Sequence, residues 1–101
     1  MLNARTALLQ ALVSGPGYGL ELAARVRDWS SDKIDLGQGT LYPALRGLER
    51  EGLVRSWEAA PAPERGGRPR VYYELTAEGR RAAREERRVL VQFVGLHEVK
   101  A

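Results

Sequence analysis

The chain has 101 residues, 44% of them hydrophobic, a net charge of +3 and no cysteine. That length supports one domain with one modest core, and the composition excludes a disordered chain, a disulfide framework and a thiolate metal site. No apolar run is long enough to span a bilayer. The N-terminal stretch lacks both a leading positive cluster and a small-residue cleavage site, so it reads as a helix of the fold, and the expected compartment is the cytoplasm.

Residues 3–13 form the first expected helix. Ala4, Ala7, Leu8, Ala11 and Leu12 repeat at spacings of three and four, and Asn3 can cap it. Ser14-Gly15-Pro16-Gly17 ends it. Tyr18-Gly19 leads into a second helix over 19–29 that buries Leu20, Ala23, Ala24 and Val26, with Trp29 as a partly buried anchor. A polar connector, Ser30–Leu36, then joins it to a third helix.

That third helix is the centre of the reading. Pro43 belongs near a helix start because it lacks an N–H and clashes with the carbonyl four residues back. The expected start is therefore Gly39 or Thr40, with Thr40 as N-cap. Leu41, Ala44, Leu45 and Leu48 share one face. Gln38, Thr40, Tyr42, Arg46 and Arg50 lie off it or at the helix mouth, and Gly52 closes the C-terminus. Two helices joined by a short turn make a helix-turn-helix, whose second helix suits a DNA major groove.

Leu53–Glu58 and Arg70–Leu75 alternate apolar and polar residues, as half-buried strands do. Between them, residues 59–69 hold Pro61, Pro63, Gly66, Gly67 and Pro69 and read as a long hairpin loop. Arg65, Arg68 and Arg70 outnumber Glu64 at its tip. Helix, helix, helix, strand, basic loop, strand is the order of a winged helix-turn-helix. Thr76 caps a last helix over about 77–98, charged from Arg80 to Arg88 and apolar at Val89, Leu90, Phe93, Val94 and Leu96. An apolar helix end projecting from so small a domain suits a partner helix. The expected fold class is mainly α with a small two-stranded β-wing: a winged helix-turn-helix over 1–76 and a dimerisation helix over 77–101.

Taken together these residues resemble the PadR family of bacterial transcriptional regulators. The resemblance rests on Gly15-Pro16 with Tyr18-Gly19, on Gly39-Thr40-Leu41-Tyr42-Pro43-Ala44-Leu45, on Leu48-Glu49-Arg50-Glu51-Gly52-Leu53, and on Arg70-Val71-Tyr72-Tyr73-Glu74-Leu75-Thr76-Ala77-Glu78-Gly79. It implies a homodimeric DNA-binding protein, usually a repressor, that dimerises through its C-terminal helix; no cofactor is expected. Carried over by position, Gln38, Thr40 and Tyr42 face the groove, Tyr18 lies near the DNA backbone, and Arg65, Arg68 and Arg70 belong to the wing. A single C-terminal helix places the chain with the short branch of the family. Some short members hold aromatic drugs on a tryptophan of the last helix; here no tryptophan follows Trp57. That departure weakens carry-over of the aromatic-drug class; a small apolar or aromatic effector near the dimer helices is one expectation, and two-fold symmetry makes an inverted-repeat operator another.

The alternative class is a winged-helix protein-interaction module without specific DNA binding. Other patterns have plainer readings. Arg80, Arg81, Arg84, Arg87 and Arg88 interleave with Glu78, Glu85 and Glu86, as on a solvated helix face. His97 stands without metal-ligating neighbours in sequence. Gly15–Gly19 follows a helix and precedes no Gly-Lys-Ser/Thr, so it is not a phosphate loop. Asp28, Asp32 and Asp35 have turn and cap spacing, not that of a calcium loop. No nucleophile–base set suggests an enzyme.

Overall fold

The computed structural model describes residues 3–60 and 69–99, with side chains through Gly95. Asn3 is extended, and its side chain accepts the Thr6 amide at 2.9 Å. This satisfies one orphan donor of α1 (Ala4–Ala11). A 3₁₀ turn, Leu12–Ser14, carries the chain to Gly15, whose φ of 139° is open only to glycine. Arg25 holds this corner. Its Nη1 donates to the Gly15 carbonyl at 2.8 Å and to Ser14 Oγ at 3.2 Å, and its Nη2 donates to the Pro16 carbonyl at 2.7 Å. One of the fourteen arginines is therefore consumed by the fold.

The corner feeds a two-residue strand, β1 (Gly17–Tyr18), and then α2 (Gly19–Trp29). The expected anchor at Trp29 is corrected here: its side chain is 61% exposed, because Leu22, Ala23 and Val26 already fill the buried face. Leu20 is likewise exposed. Ser31 and Asp32 follow with φ of 54° and 66°, two left-handed residues in the turn of the helix-turn-helix.

The next helix, α3, spans Gln38–Arg50. It starts two residues earlier than Thr40. Its N-cap is Gly37, whose carbonyl accepts the Thr40 and Leu41 amides at 3.0 and 2.8 Å. Pro43 is therefore the sixth helical residue and lies beyond the first turn. The carbonyl its missing N–H leaves unserved belongs to Gly39, which is exposed to solvent. At the other end Gly52 has a φ of 78°, and its amide donates to Glu49 while that of Leu53 donates to Leu48, both at 3.0 Å. These paired bonds close the helix as a C-terminal glycine does.

β2 (Val54–Glu58) and β3 (Val71–Leu75) pair antiparallel, with Val54 opposite Leu75 and Glu58 opposite Val71. The two expected wing strands are thus present, and β1 adds to the free edge of β3, giving a three-stranded sheet in the order β1-β3-β2. Two residues carry no readable alternation, so β1 left no periodic trace in the sequence.

Thr76 caps α4 (Ala77–Val99): its Oγ1 accepts the Gly79 amide at 3.0 Å and donates to the Gly52 carbonyl at 2.6 Å. The first half of α4 docks on α1, where Gln10 Nε2 donates to the Ala83 carbonyl at 2.8 Å. The largest fully buried side chains of the core are Leu8, Leu9, Leu12, Leu22, Leu41, Leu45 and Leu48. Each contributes roughly 2 kcal/mol. The radius of gyration, 15.1 Å, exceeds the ~13 Å of a compact chain of this length because α4 runs beyond that core, and the longest dimension is 55 Å.

Candidate nucleic-acid interface

In α3, Leu41, Leu45 and Leu48 fill the inward face. Gly39, Pro43, Arg46 and Arg50, at spacings of four, three and four, form the line farthest from it, and all are exposed. Gln38 and Thr40 are exposed in the first turn on either flank of that line. Gly37 offers no side-chain cap, so this end of the helix presents main-chain donors together with the Gln38 and Thr40 side chains.

The glutamates near Arg46 and Arg50 are engaged elsewhere. Glu49 accepts the Ser56 hydroxyl at 2.7 Å, and Glu51 pairs with Arg5 at 2.8 Å. Neither Arg46 nor Arg50 forms an ion pair among the described residues. The two arginines keep their charge on the outward line of α3.

Tyr42 turns off that line toward α2. It is half-buried, and its ring lies over Gly19: a Cβ built on Gly19 would come within 2.6 Å of the ring. This approach opens a cleft of about 450 Å³ between the start of α2, α3 and the root of the wing. Tyr18, Gly19, Leu20, Tyr42, Pro69, Arg70, Val71 and Tyr73 line it. Burial, with the Glu49 carboxylate nearby, pushes the Tyr73 phenol above its ordinary range, so Tyr73 meets the cleft as a neutral hydroxyl. Arg70 lies over the Tyr18 ring, 4.0 Å from its centroid. The cleft therefore gathers Tyr18, Tyr42 and Arg70 from three separate elements. Gln38, Thr40 and Arg46 stand on α3 and are not among its lining residues. Arg65 and Arg68 lie outside the described residues.

On α4, Val89, Phe93 and Val94 are 50, 58 and 49% exposed, and Leu90 is half-buried. The Leu96 side chain lies outside the described part. Val91 is also exposed, at 63%, so the apolar surface wraps wider than the expected seam. Glu85 pairs with Arg88 at 2.6 Å, as the charge spacing suggested, but Glu86 turns inward to Arg5 on α1, at 3.0 Å. The sequence reading missed Arg5, Arg25 and the ring row formed by Tyr72 and Trp57. Arg5 and Arg25 have partners distant in sequence. The ring row was open to register reasoning, because the two hairpin strands alone bring Tyr72 opposite Trp57.

Among the described residues no group of three or more metal-ligating side chains converges, and no helix is long and apolar enough to cross a membrane. The chain matches the model of the transcriptional regulator PadR-like family over residues 8–85. Among solved structures it is similar to a PadR family transcription regulator from hypervirulent Clostridium difficile R20291, with 25% identity, a TM-score of 0.78 and 94% of each chain covered. It is also similar to a PadR family transcriptional regulator from Eggerthella lenta DSM 2243, with 33% identity, a TM-score of 0.71, and 93% of this chain and 80% of that one covered. A Streptococcus transcriptional regulator gives 28% identity and a TM-score of 0.69 over 93% of this chain and 90% of its own. No curated protein sequence matches the chain. The matched span takes in the helix-turn-helix, both wing strands and the docked half of α4, and the chain belongs to the PadR-like family of transcriptional regulators, which act without catalysis.

Proposed function

We propose that the protein is a homodimeric, sequence-specific DNA-binding repressor of the cytoplasm, with residues 1–76 as the DNA-binding unit and 77–101 as the dimerisation helix. Each protomer inserts α3 into a major groove, and two-fold symmetry then calls for an inverted-repeat operator with half-sites about one helical turn apart. Gln38 is suited to adenine, and Thr40 or the Tyr42 ring to a thymine methyl. Arg46 and the wing arginines Arg65, Arg68 and Arg70 meet phosphates. The observation that carries this reading is the cleft that joins Tyr42 of the recognition helix to Arg70 of the wing, beside an α3 whose outward arginines have no ion-pair partner among the described residues.

The exposed apolar half of α4, Val89, Leu90, Phe93 and Val94 with Leu96 in sequence, supports the dimer. A small apolar or aromatic effector bound near the paired helices would release DNA by favouring a protomer spacing that no longer fits successive grooves. Footprinting of upstream DNA with light scattering of the complex tests the whole. The expected result is a protected inverted repeat bound by one dimer, with affinity falling steeply as salt rises. Gln38→Ala relaxes base preference and leaves non-specific affinity unchanged. A monomer that ignores every upstream fragment at low salt contradicts the proposal and favours a protein-interaction module.

A further inference from the structure

The outer face of the sheet carries one continuous row of side chains. The register sets Tyr72 of β3 between Tyr18 of β1 and Trp57 of β2, so three rings from three strands share a face. Tyr72 and Trp57 stack at 5.8 Å with 20° between their planes. Tyr72 meets Tyr18 edge-on at 5.6 Å and 72°. A guanidinium closes each end: Arg55 lies 5.2 Å from the Trp57 centroid and Arg70 4.0 Å from that of Tyr18.

The two cations differ. Arg55 is ion-paired with Glu74, its cross-strand neighbour. Arg70 has no ion-pair partner among the described residues, and it borders the cleft shared with Tyr42. Its main chain is fixed as well, since the Arg70 carbonyl accepts the Ala59 amide at 2.8 Å. A guanidinium held at both ends and left without a counter-charge loses little freedom when an anion arrives.

We propose that Tyr18 is a positioning residue for Arg70: its ring face, not its hydroxyl, holds the guanidinium at the mouth of the cleft, oriented toward a DNA phosphate, with Tyr72 and Trp57 bracing the ring. The inference rests on the DNA-binding reading above. It changes the role of Tyr18 from a direct backbone contact to a support.

The first measurement needs no DNA. In the free protein the Arg70 side-chain protons show an upfield ring-current shift, kept in Tyr18→Phe and lost in Tyr18→Leu. Absence of that shift in the wild type overturns the proposal. The second uses operator DNA identified by footprinting. Tyr18→Leu weakens binding by about fivefold, as expected for a lost cation–π contact. Tyr18→Phe stays within about twofold of wild type. Arg70→Ala lowers the salt slope by about one, and adding Tyr18→Leu to it costs less than about twofold more, because coupled residues are not additive. Tyr18→Met removes the ring but keeps the bulk, and replaces Tyr18→Leu should that variant melt below the assay temperature. Equal losses in Tyr18→Phe and Tyr18→Leu, or additive losses of Tyr18→Leu and Arg70→Ala, overturn this inference while leaving DNA binding intact. A wild type that binds no DNA overturns both.

Discussion

Gly79 packs its bare Cα against the carbonyl oxygen of Leu53, the same oxygen that accepts the Thr76 amide at 3.0 Å. A methyl group at this position would overlap that oxygen, and backbone cannot yield as a side-chain tip does. Gly79→Ala should therefore cost about 3 kcal/mol and lower Tm by 10 °C or more, on the order of 4–8 °C per kcal/mol. A thermal melt followed by circular dichroism decides; an unchanged midpoint would contradict the contact.

Gly19 and Tyr42 give a milder case. A Cβ on Gly19 meets the Tyr42 ring, the end of a side chain that can swing away. Gly19→Ala is expected to cost about 1–2 kcal/mol and to displace the ring from the cleft. Combining it with Tyr42→Ala should cost less than the sum of the two changes, since the second removes the obstacle to the first. Denaturant midpoints of the four proteins test this, and strict additivity would refute the coupling.

Arg5 ties α1 to Glu51, the C-cap of α3, and to Glu86 of α4 at once. Its guanidinium holds the Glu51 carboxyl below the ordinary carboxylate range. A carboxyl lowered in the folded state stabilises fully above its unfolded pKa, and that stabilisation disappears as pH falls through the folded one. Both Arg5 and Glu51 are partly exposed, so the effect is below about 1 kcal/mol. The wild type should thus lose more stability than Arg5→Met between about pH 5 and 3, a window that brackets the unperturbed glutamate value. Parallel Tm–pH curves would remove Glu51 from the account.

Ser31 sits at φ 54° in the turn before α3, and its side chain makes no hydrogen bond among the described residues to compensate for the left-handed backbone. Ser31→Gly relieves that cost and adds freedom to the unfolded chain, a balance that favours the variant by about 0.5 kcal/mol. Chemical denaturation should show a higher midpoint at an unchanged slope. A lower midpoint would mean that the turn owes its shape to the serine.

Val94 is half exposed in the protomer, where a polar replacement costs within about 0.5 kcal/mol. Val94→Glu should therefore leave the protomer folded and convert a dimer to a monomer at micromolar concentration. Sedimentation velocity reads this directly. A dimer that survives Val94→Glu places the seam on another face of α4.

Long periodic elements were legible from the chain alone. α2 falls on the expected residues between the Gly15–Gly17 break and the polar connector, and α4 starts at the Thr76 cap and ends one residue beyond the expected range. α3 starts earlier than the proline rule predicts because the orphaned Gly39 carbonyl is at an exposed position, where solvent can serve it. β1 escaped notice because a two-residue strand has no period. Trp29, expected as a partly buried anchor, is exposed because Leu22, Ala23 and Val26 cover the buried face of α2. The candidate site was legible as a set of residue types. What joins its members, Tyr42 over Gly19 and Arg70 over Tyr18, depends on packing between distant segments, which no local pattern encodes.

α4 is one unbroken helix from its docked first turns to Val99, pinned at Gly79 and Ala83. In the dimer proposed above, its outer half would act as a lever on that fulcrum. Between Ala83 and Val94 the arm is about 16 Å long at roughly 1.5 Å per residue, so a tilt of about 10° sweeps the far end through nearly 3 Å. That displacement approaches the ~3.4 Å rise of one base pair along a strand. Small angular adjustments at the root of this helix are thereby magnified into distances that matter on the scale of a double helix.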